Sequence, residues 1–104
     1  MESFVKHTLL YDFYGDLLTP HQKEIYEAYA LEDYSLGEIA EEKSISRQGV
    51  FDTVKRCDKL LTEYEAKLGL VDKFLKIQEK VKTIESAATL EEARQTAGDI
   101  LELL

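Results

Sequence analysis

The chain has little that breaks a helix and little that oxidises. Five glycines and one proline are spread over 104 residues, and Glu, Lys, Leu and Ala are plentiful, so helix propensity dominates. An all-α protein is expected. A single cysteine, Cys57, excludes an intramolecular disulfide and any CxxC metal or redox pair, and fits a reducing, cytoplasmic setting. No stretch approaches the roughly 18 apolar residues of a membrane span. The N-terminal run MESFVKHTLLYDFYGDLL carries charges and lacks a small-residue cleavage site, so neither export nor insertion is expected. Basic residues are also scarce, 13 against 21 acidic, for a net charge of −8. What the chain does have is 44% hydrophobic and 10% aromatic content, too much for a wholly disordered polypeptide. Its length suits one compact domain.

Apolar spacing divides the sequence into helices. Phe4, Val5, Leu9, Leu10, Phe13, Leu17 and Leu18 recur mostly at three- and four-residue steps and predict a first helix over residues 4–18. TPHQ at 19–22 offers a capping threonine, a proline at the first helical position and a glutamine three residues after the cap. A second helix should run from Pro20 to about Leu31 with Ile25, Tyr26, Tyr29 and Ala30 as its stripe. SLGE at 35–38 repeats the capping pattern before a short helix with Leu36, Ile39 and Ala40 inward. Ser46 then caps a helix on which Val50, Val54, Cys57 and Leu61 share a face, continuing to a stop at Gly69. Leu70, Phe74, Ile77, Val81 and Ile84 alternate steps of four and three, the spacing of a coiled-coil seam. TLEE at 89–92 opens a last helix expected to bury Leu90, Ala93, Ala97, Ile100, Leu101 and Leu104.

Two short helices joined by a tight turn, over residues 35–61, make a helix-turn-helix candidate. Ala40 supplies the small residue where the helices cross, and Val50, ten positions on, the branched apolar residue that fixes the crossing. The turn position at Ser44 favours a left-handed backbone, where glycine is the usual choice. With Val50, Val54, Cys57 and Leu61 facing the core, the second helix presents Arg47, Gln48, Phe51, Asp52, Lys55 and Lys59, with Arg56 at the margin. Arg47 and Gln48 lie in the first turn, where such helices meet base edges, arginine suiting guanine and glutamine adenine. Lys55, Arg56 and Lys59 suit phosphates. Phe51 suits a thymine methyl or an unpaired base, whereas Asp52 repels phosphate and accepts only from a cytosine amine. Charge is local: residues 1–34 carry −5, residues 35–61 carry 0, residues 62–104 carry −3, and the segment 47–59 alone carries +2. A helix-turn-helix is nevertheless a stable packing whether or not it meets DNA, so the segment alone leaves both roles open.

Residues 18–61 resemble the fourth region of bacterial sigma factors. More closely, the whole chain is similar to the small YlxM family of helix-turn-helix proteins, on the strength of YDFYGDLLT, EDYSLGEIAEE, and SRQGVFD followed by KR. The resemblance places the family's SRQ element on Ser46, Arg47 and Gln48 and its KR pair on Lys55 and Arg56. It implies an all-α, sigma region 4-like fold without a wing and with a C-terminal helical extension, and a regulatory DNA-binding role. Through gene neighbourhood it also implies an association with the signal recognition particle. The alternative is an interaction module that binds the particle's GTPase or its RNA. Gly49 departs from the alanine common at that helix position, at a propensity cost of roughly 1 kcal/mol.

The remaining residues point to no catalysis. His7 and His21 fall on different helices with no ligand spacing to Cys57, and no nucleophile elbow, phosphate loop or pair of catalytic acids is present, so neither an enzyme nor a cofactor or metal is expected. Tyr11, Tyr14, Tyr26, Tyr29 and Tyr34 read as core aromatics with hydroxyls at the surface. Residues 1–69 form the helical domain containing the helix-turn-helix. Residues 70–104 are expected to mediate a homodimer through Leu70, Phe74, Ile77, Val81, Ile84, Ile100, Leu101 and Leu104, or to fold back on the first helices. A dimer would pair two reading helices about a two-fold axis.

Overall fold

The computed structural model describes residues 3–104, with side chains from residue 6 onward. Phe4 and Val5 of the expected first stripe therefore lie outside the described side chains. Every regular element among the described residues is helical: α1 Ser3–Tyr14 and a 3₁₀ turn Gly15–Leu17, α2 Pro20–Tyr26 running into a π turn Glu27–Leu31, then α3 Leu36–Lys43, α4 Arg47–Leu68, α5 Leu70–Glu85 and α6 Leu90–Leu103. The chain forms two compact units, one ending at Leu68 and one spanning Gly69–Leu104.

The helix starts follow local chemistry. Thr19 Oγ1 accepts from the Gln22 amide at 3.2 Å while Gln22 Oε1 accepts from the Thr19 amide at 2.9 Å, with Pro20 opening the helix. Ser35 and Glu38 repeat this reciprocal arrangement at 3.0 Å in both directions. The Ser35 backbone amide, donating to Glu38, holds that carboxyl below the usual carboxylate range. At α6 Thr89 accepts from the Glu92 amide, but Glu92 reaches past it to the Ala88 amide, so the box is displaced by one residue.

The first unit packs α1 and α2 against α4, with α3 crossing α4 at the helix-turn-helix. Ala40 and Val50 are buried as the crossing requires, and Ile39, Val54, Cys57 and Leu61 line the same core with Leu10, Leu18 and Ile25. Ser44 adopts the left-handed conformation, φ 57° and ψ 42°, with its amide donating to the end of α3. Because a Cβ is disfavoured there, Ser44→Gly should raise stability by about 1 kcal/mol in urea unfolding, with an unchanged m-value.

Several inward positions differ from those the spacing predicts. Leu17 is exposed because the 3₁₀ turn advances three residues per turn instead of 3.6, which turns Leu17 outward and Leu18 inward. Tyr29 is 40% exposed because the π turn widens the helix at 27–31 and buries Ala28 in its place. Nor do the tyrosines simply place hydroxyls at the surface. Tyr14 and Tyr26 are buried, and their hydroxyls donate to Glu65 at 2.5 Å and to Asp58 at 2.8 Å on α4. Tyr11 donates to Glu27 and stacks on Tyr26 with ring centroids 5.7 Å apart. Burial first, and then the carboxylate partner, pushes the phenol groups of Tyr11 and Tyr26 well above the ordinary tyrosine range. Such charge-assisted bonds contribute about 1.5–3 kcal/mol each, so these rings tie helices together as well as fill space.

In the second unit α5 and α6 pack as a helical hairpin, with Lys80 Nζ 3.8 Å from Asp99. Of the residues expected to face inward on the last helix, Ala93 and Ile100 do and the other four do not. Thr96 is its buried residue, with Ala93, Ile100 and Leu103 half-buried, while Leu90, Ala97, Leu101 and Leu104 are exposed. Thr96 tolerates burial because its hydroxyl donates to the Glu92 carbonyl at 3.0 Å. The two apolar rows of α6 are offset by one position, and the row richer in leucine faces out.

Candidate nucleic-acid interface

The helix-turn-helix presents α4 from its first turn. Ser46 caps it, its hydroxyl accepting from the Gly49 amide at 2.9 Å, and the left-handed Ser44 sets the angle at which the chain leaves α3. A Cβ on Gly49 would stand 3.2 Å from that capping oxygen, so the cap gives the glycine a local reason. Ser46, Arg47, Gln48, Phe51, Asp52, Lys55, Arg56 and Lys59 are all exposed, and they share the side of α4 opposite the Val50, Val54, Cys57, Leu61 stripe.

The side chains that would read bases are already engaged. The Arg47 guanidinium lies on the backbone of Gly37 in α3, where an added Cβ would meet its Nη2, Nε and Cζ atoms at 3.0–3.2 Å. Gln48 Nε2 donates to Asp52 Oδ1 at 2.8 Å, and Lys55 Nζ stands 5.2 Å from the centroid of the Phe51 ring. Sequence spacing gives the i, i+4 partners of the last two but not the packing of Arg47 across the turn onto a glycine. Asp52 thus orients Gln48 along the helix while keeping its negative charge beside the basic side chains.

Further along α4, Lys55, Arg56 and Lys59 line a groove of about 720 Å³ together with Gln22 of α2. Gln22 escapes a reading of the sequence because its evident task is the α2 cap; only the approach of α2 to α4 brings it to the groove. Asp52 and Glu63 also line the groove and restrict its positive potential to the three basic side chains.

Cys57 is buried, its sulfur 3.9 Å from the Gln22 carbonyl, and burial, followed by the charge of Asp58, pushes its thiol up to about 11. His7 Nε2 lies 3.8 Å from Asp58, and His21 is exposed. Among the described residues no three of His, Cys, Asp and Glu are grouped to hold a metal ion, and no helix is long and apolar enough to cross a membrane. What the surface can do chemically is hydrogen-bond base edges from the first turn of α4 and neutralise phosphates from its middle.

A family model described as "UPF0122: Putative helix-turn-helix protein, YlxM / p13 like" matches residues 1–100. The chain is 48% identical to the UPF0122 protein of Thermoanaerobacter sp. (strain X514) over 103 residues, which is 99% of this chain and 88% of that protein. It is 55% identical to the UPF0122 protein of Caldanaerobacter subterraneus subsp. tengcongensis over 83 residues, 80% of this chain and 71% of that one. With the UPF0122 protein of Acetivibrio thermocellus the identity is 53% over 85 residues, 82% and 71% of the two chains.

Proposed function

The chain belongs to the UPF0122 family of YlxM-like helix-turn-helix proteins, and on that footing we propose that it is a regulatory, cytoplasmic nucleic-acid-binding protein that inserts α4 into a groove of duplex DNA. The observation that carries this reading is the convergence of Lys55, Arg56 and Lys59 on one groove of the helix that the Ala40–Val50 crossing holds outward. In this role the three cations neutralise phosphates and fix the register, while Arg47 and Gln48 reach base edges. Phe51 meets a thymine methyl, Asp52 accepts from a cytosine amine, and Ser46 keeps the first turn formed. Binding exchanges the Gln48–Asp52 and Lys55–Phe51 contacts for contacts to the nucleic acid, so affinity should be modest.

A homodimer completes the reading. Leu90, Ala97, Leu101 and Leu104 form an exposed, heptad-spaced row on α6, and Val81 is exposed on α5. A second copy would cover the α6 row, and the interface would draw on Leu70, Phe74, Ile77, Val81, Ile84 and Ile100 as well. The second unit is also shorter than the roughly 40 residues below which oligomerisation usually supports a fold.

A second reading, contact with the signal recognition particle's RNA or GTPase, draws support from the engaged state of the reading side chains and from the small positive charge of the 47–59 segment. A randomised duplex pool retained by the full chain at low salt, sequenced with and without Gln48→Ala, separates the two. The expected result is an enriched motif in which one position loses about 1–3 kcal/mol of adenine preference in the variant. Identical or motif-free pools from both proteins would remove base reading and leave the RNA or the GTPase as the partner.

A further inference from the structure

Beside α4, on the flank opposite the basic groove, the first unit encloses an open cavity of about 520 Å³. Its walls come from α1, the end of α2, the π turn and the segment after it, α3 and α4. Two observations there are independent of each other. Tyr29 and Tyr34, residues 40% and 44% exposed, line the cavity, in a unit that buries Tyr14 and Tyr26. The charged groups that line it are Asp33, Glu38 and Asp58, with no lysine or arginine among them, and His7 is its other titratable side chain apart from the tyrosines.

The carboxylates are not equally committed. Glu38 accepts from the Ser35 amide, and Asp58 accepts from the Tyr26 hydroxyl with His7 at 3.8 Å. No cation stands within ion-pair distance of Asp33 among the described residues. The π turn accounts for the aromatic wall: by burying Ala28 it delivers Tyr29 to the cavity, and the Tyr34 amide, donating to the Ala28 carbonyl at 2.9 Å, fixes the ring that follows.

Aromatic faces and carboxylates have one ligand chemistry in common, a cation that is planar on one side and a hydrogen-bond donor on its edge. An ammonium meets both only as a point charge, with no plane to lay on a ring and no fork to match a carboxylate. A guanidinium satisfies the carboxylates in bidentate fashion and stacks on the rings as well. A phosphate backbone is repelled here. We propose that this cavity is a docking site for an arginine side chain presented by a basic segment of a partner protein, with Asp33 as its principal counter-charge and Tyr29 and Tyr34 as its stacking walls. The site does not depend on whether α4 meets DNA, because its residues and those of the basic groove are disjoint.

The test is a titration of the isotope-labelled full chain, followed by amide chemical shifts, with a short Gly/Ser peptide bearing one arginine and with the same peptide bearing citrulline. The arginine peptide should give saturable shifts at Tyr29, Asp33 and Tyr34, and the uncharged isostere none. Asp33→Asn, which tolerates the left-handed backbone at that position (φ 63°), should weaken binding about tenfold with an unchanged unfolding midpoint. Tyr34→Ala should weaken it severalfold as a second, exposed-site variant. Equal binding of the citrulline peptide, no saturable shift at these amides, an Asp33→Asn variant that binds as tightly as the parent, or binding of spermidine without binding of the arginine peptide would each overturn the proposal. Shifts of the same amides on adding single-stranded oligonucleotide would overturn it in favour of nucleic acid.

Discussion

Replacing Lys55, Arg56 and Lys59 together with alanine should flatten the dependence of log affinity on log salt by about 2.7, or about 0.9 for each phosphate contact removed from duplex DNA. Affinity at moderate salt should fall about a hundredfold or more, because charge-assisted contacts to phosphate supply most of what a helix with so small a basic footprint has to offer. The effect belongs to the surface and not to the fold. All three residues are exposed, and the substitution removes the stacking of Lys55 over Phe51, worth about 0.5–1 kcal/mol at an exposed site. Unfolding midpoints should therefore move little, and fluorescence anisotropy across a salt series isolates the electrostatic contribution. A slope unchanged from the parent would show that α4 meets no phosphate and would remove the groove from the mechanism.

Charge substitution on the outward row of α6 should have an equally large effect of another kind. Leu101→Glu combined with Leu104→Glu places carboxylates where two copies would bury leucine, and light scattering should report a fall from the mass of two chains to that of one. A monomer loses the second reading helix, and with it the gain of about 10²–10⁴ that linked engagement of two half-sites provides. The variant should keep its helix content, since both leucines are exposed within the chain, at 73% and 75%. A parent protein that already has the mass of one chain across the accessible concentration range would refute the dimer, whatever the variant does.

The parts of the fold that could be read in the sequence are those decided within a few residues. Thr19 with Gln22 and Ser35 with Glu38 close as reciprocal caps because each pair needs only its own backbone turn. Ala40 and Val50 identify the crossing because their sizes are fixed wherever the chain goes. A period of 3.6 misplaces Leu17 and Tyr29 because the chain abandons it for one turn each time, tightening at Gly15–Leu17 and widening at Glu27–Leu31. On α6 the periodicity is ambiguous in itself, since rows offset by one residue are both apolar; the inward choice depends on the approach of α5 and on a threonine able to satisfy its own hydroxyl. At the candidate interface the identity and exposure of the α4 side chains follow from the stripe they oppose. The resting place of Arg47 on Gly37 does not, and neither does the cavity, which separate parts of the chain from α1 to α4 assemble.

Cys57 gives the molecule a means of reporting its own timing. The sulfur is buried where α4 faces the Gln22 carbonyl, and its proton is held to about 11. A thiol-directed reagent needs both access and the thiolate, and the closed packing denies it both. Modification can proceed only in the moments when α4 parts from α2, so its rate counts those openings. The lone cysteine is thus a clock set inside the helix that carries the candidate reading surface, able to register how often that helix comes loose and whether a bound ligand slows it.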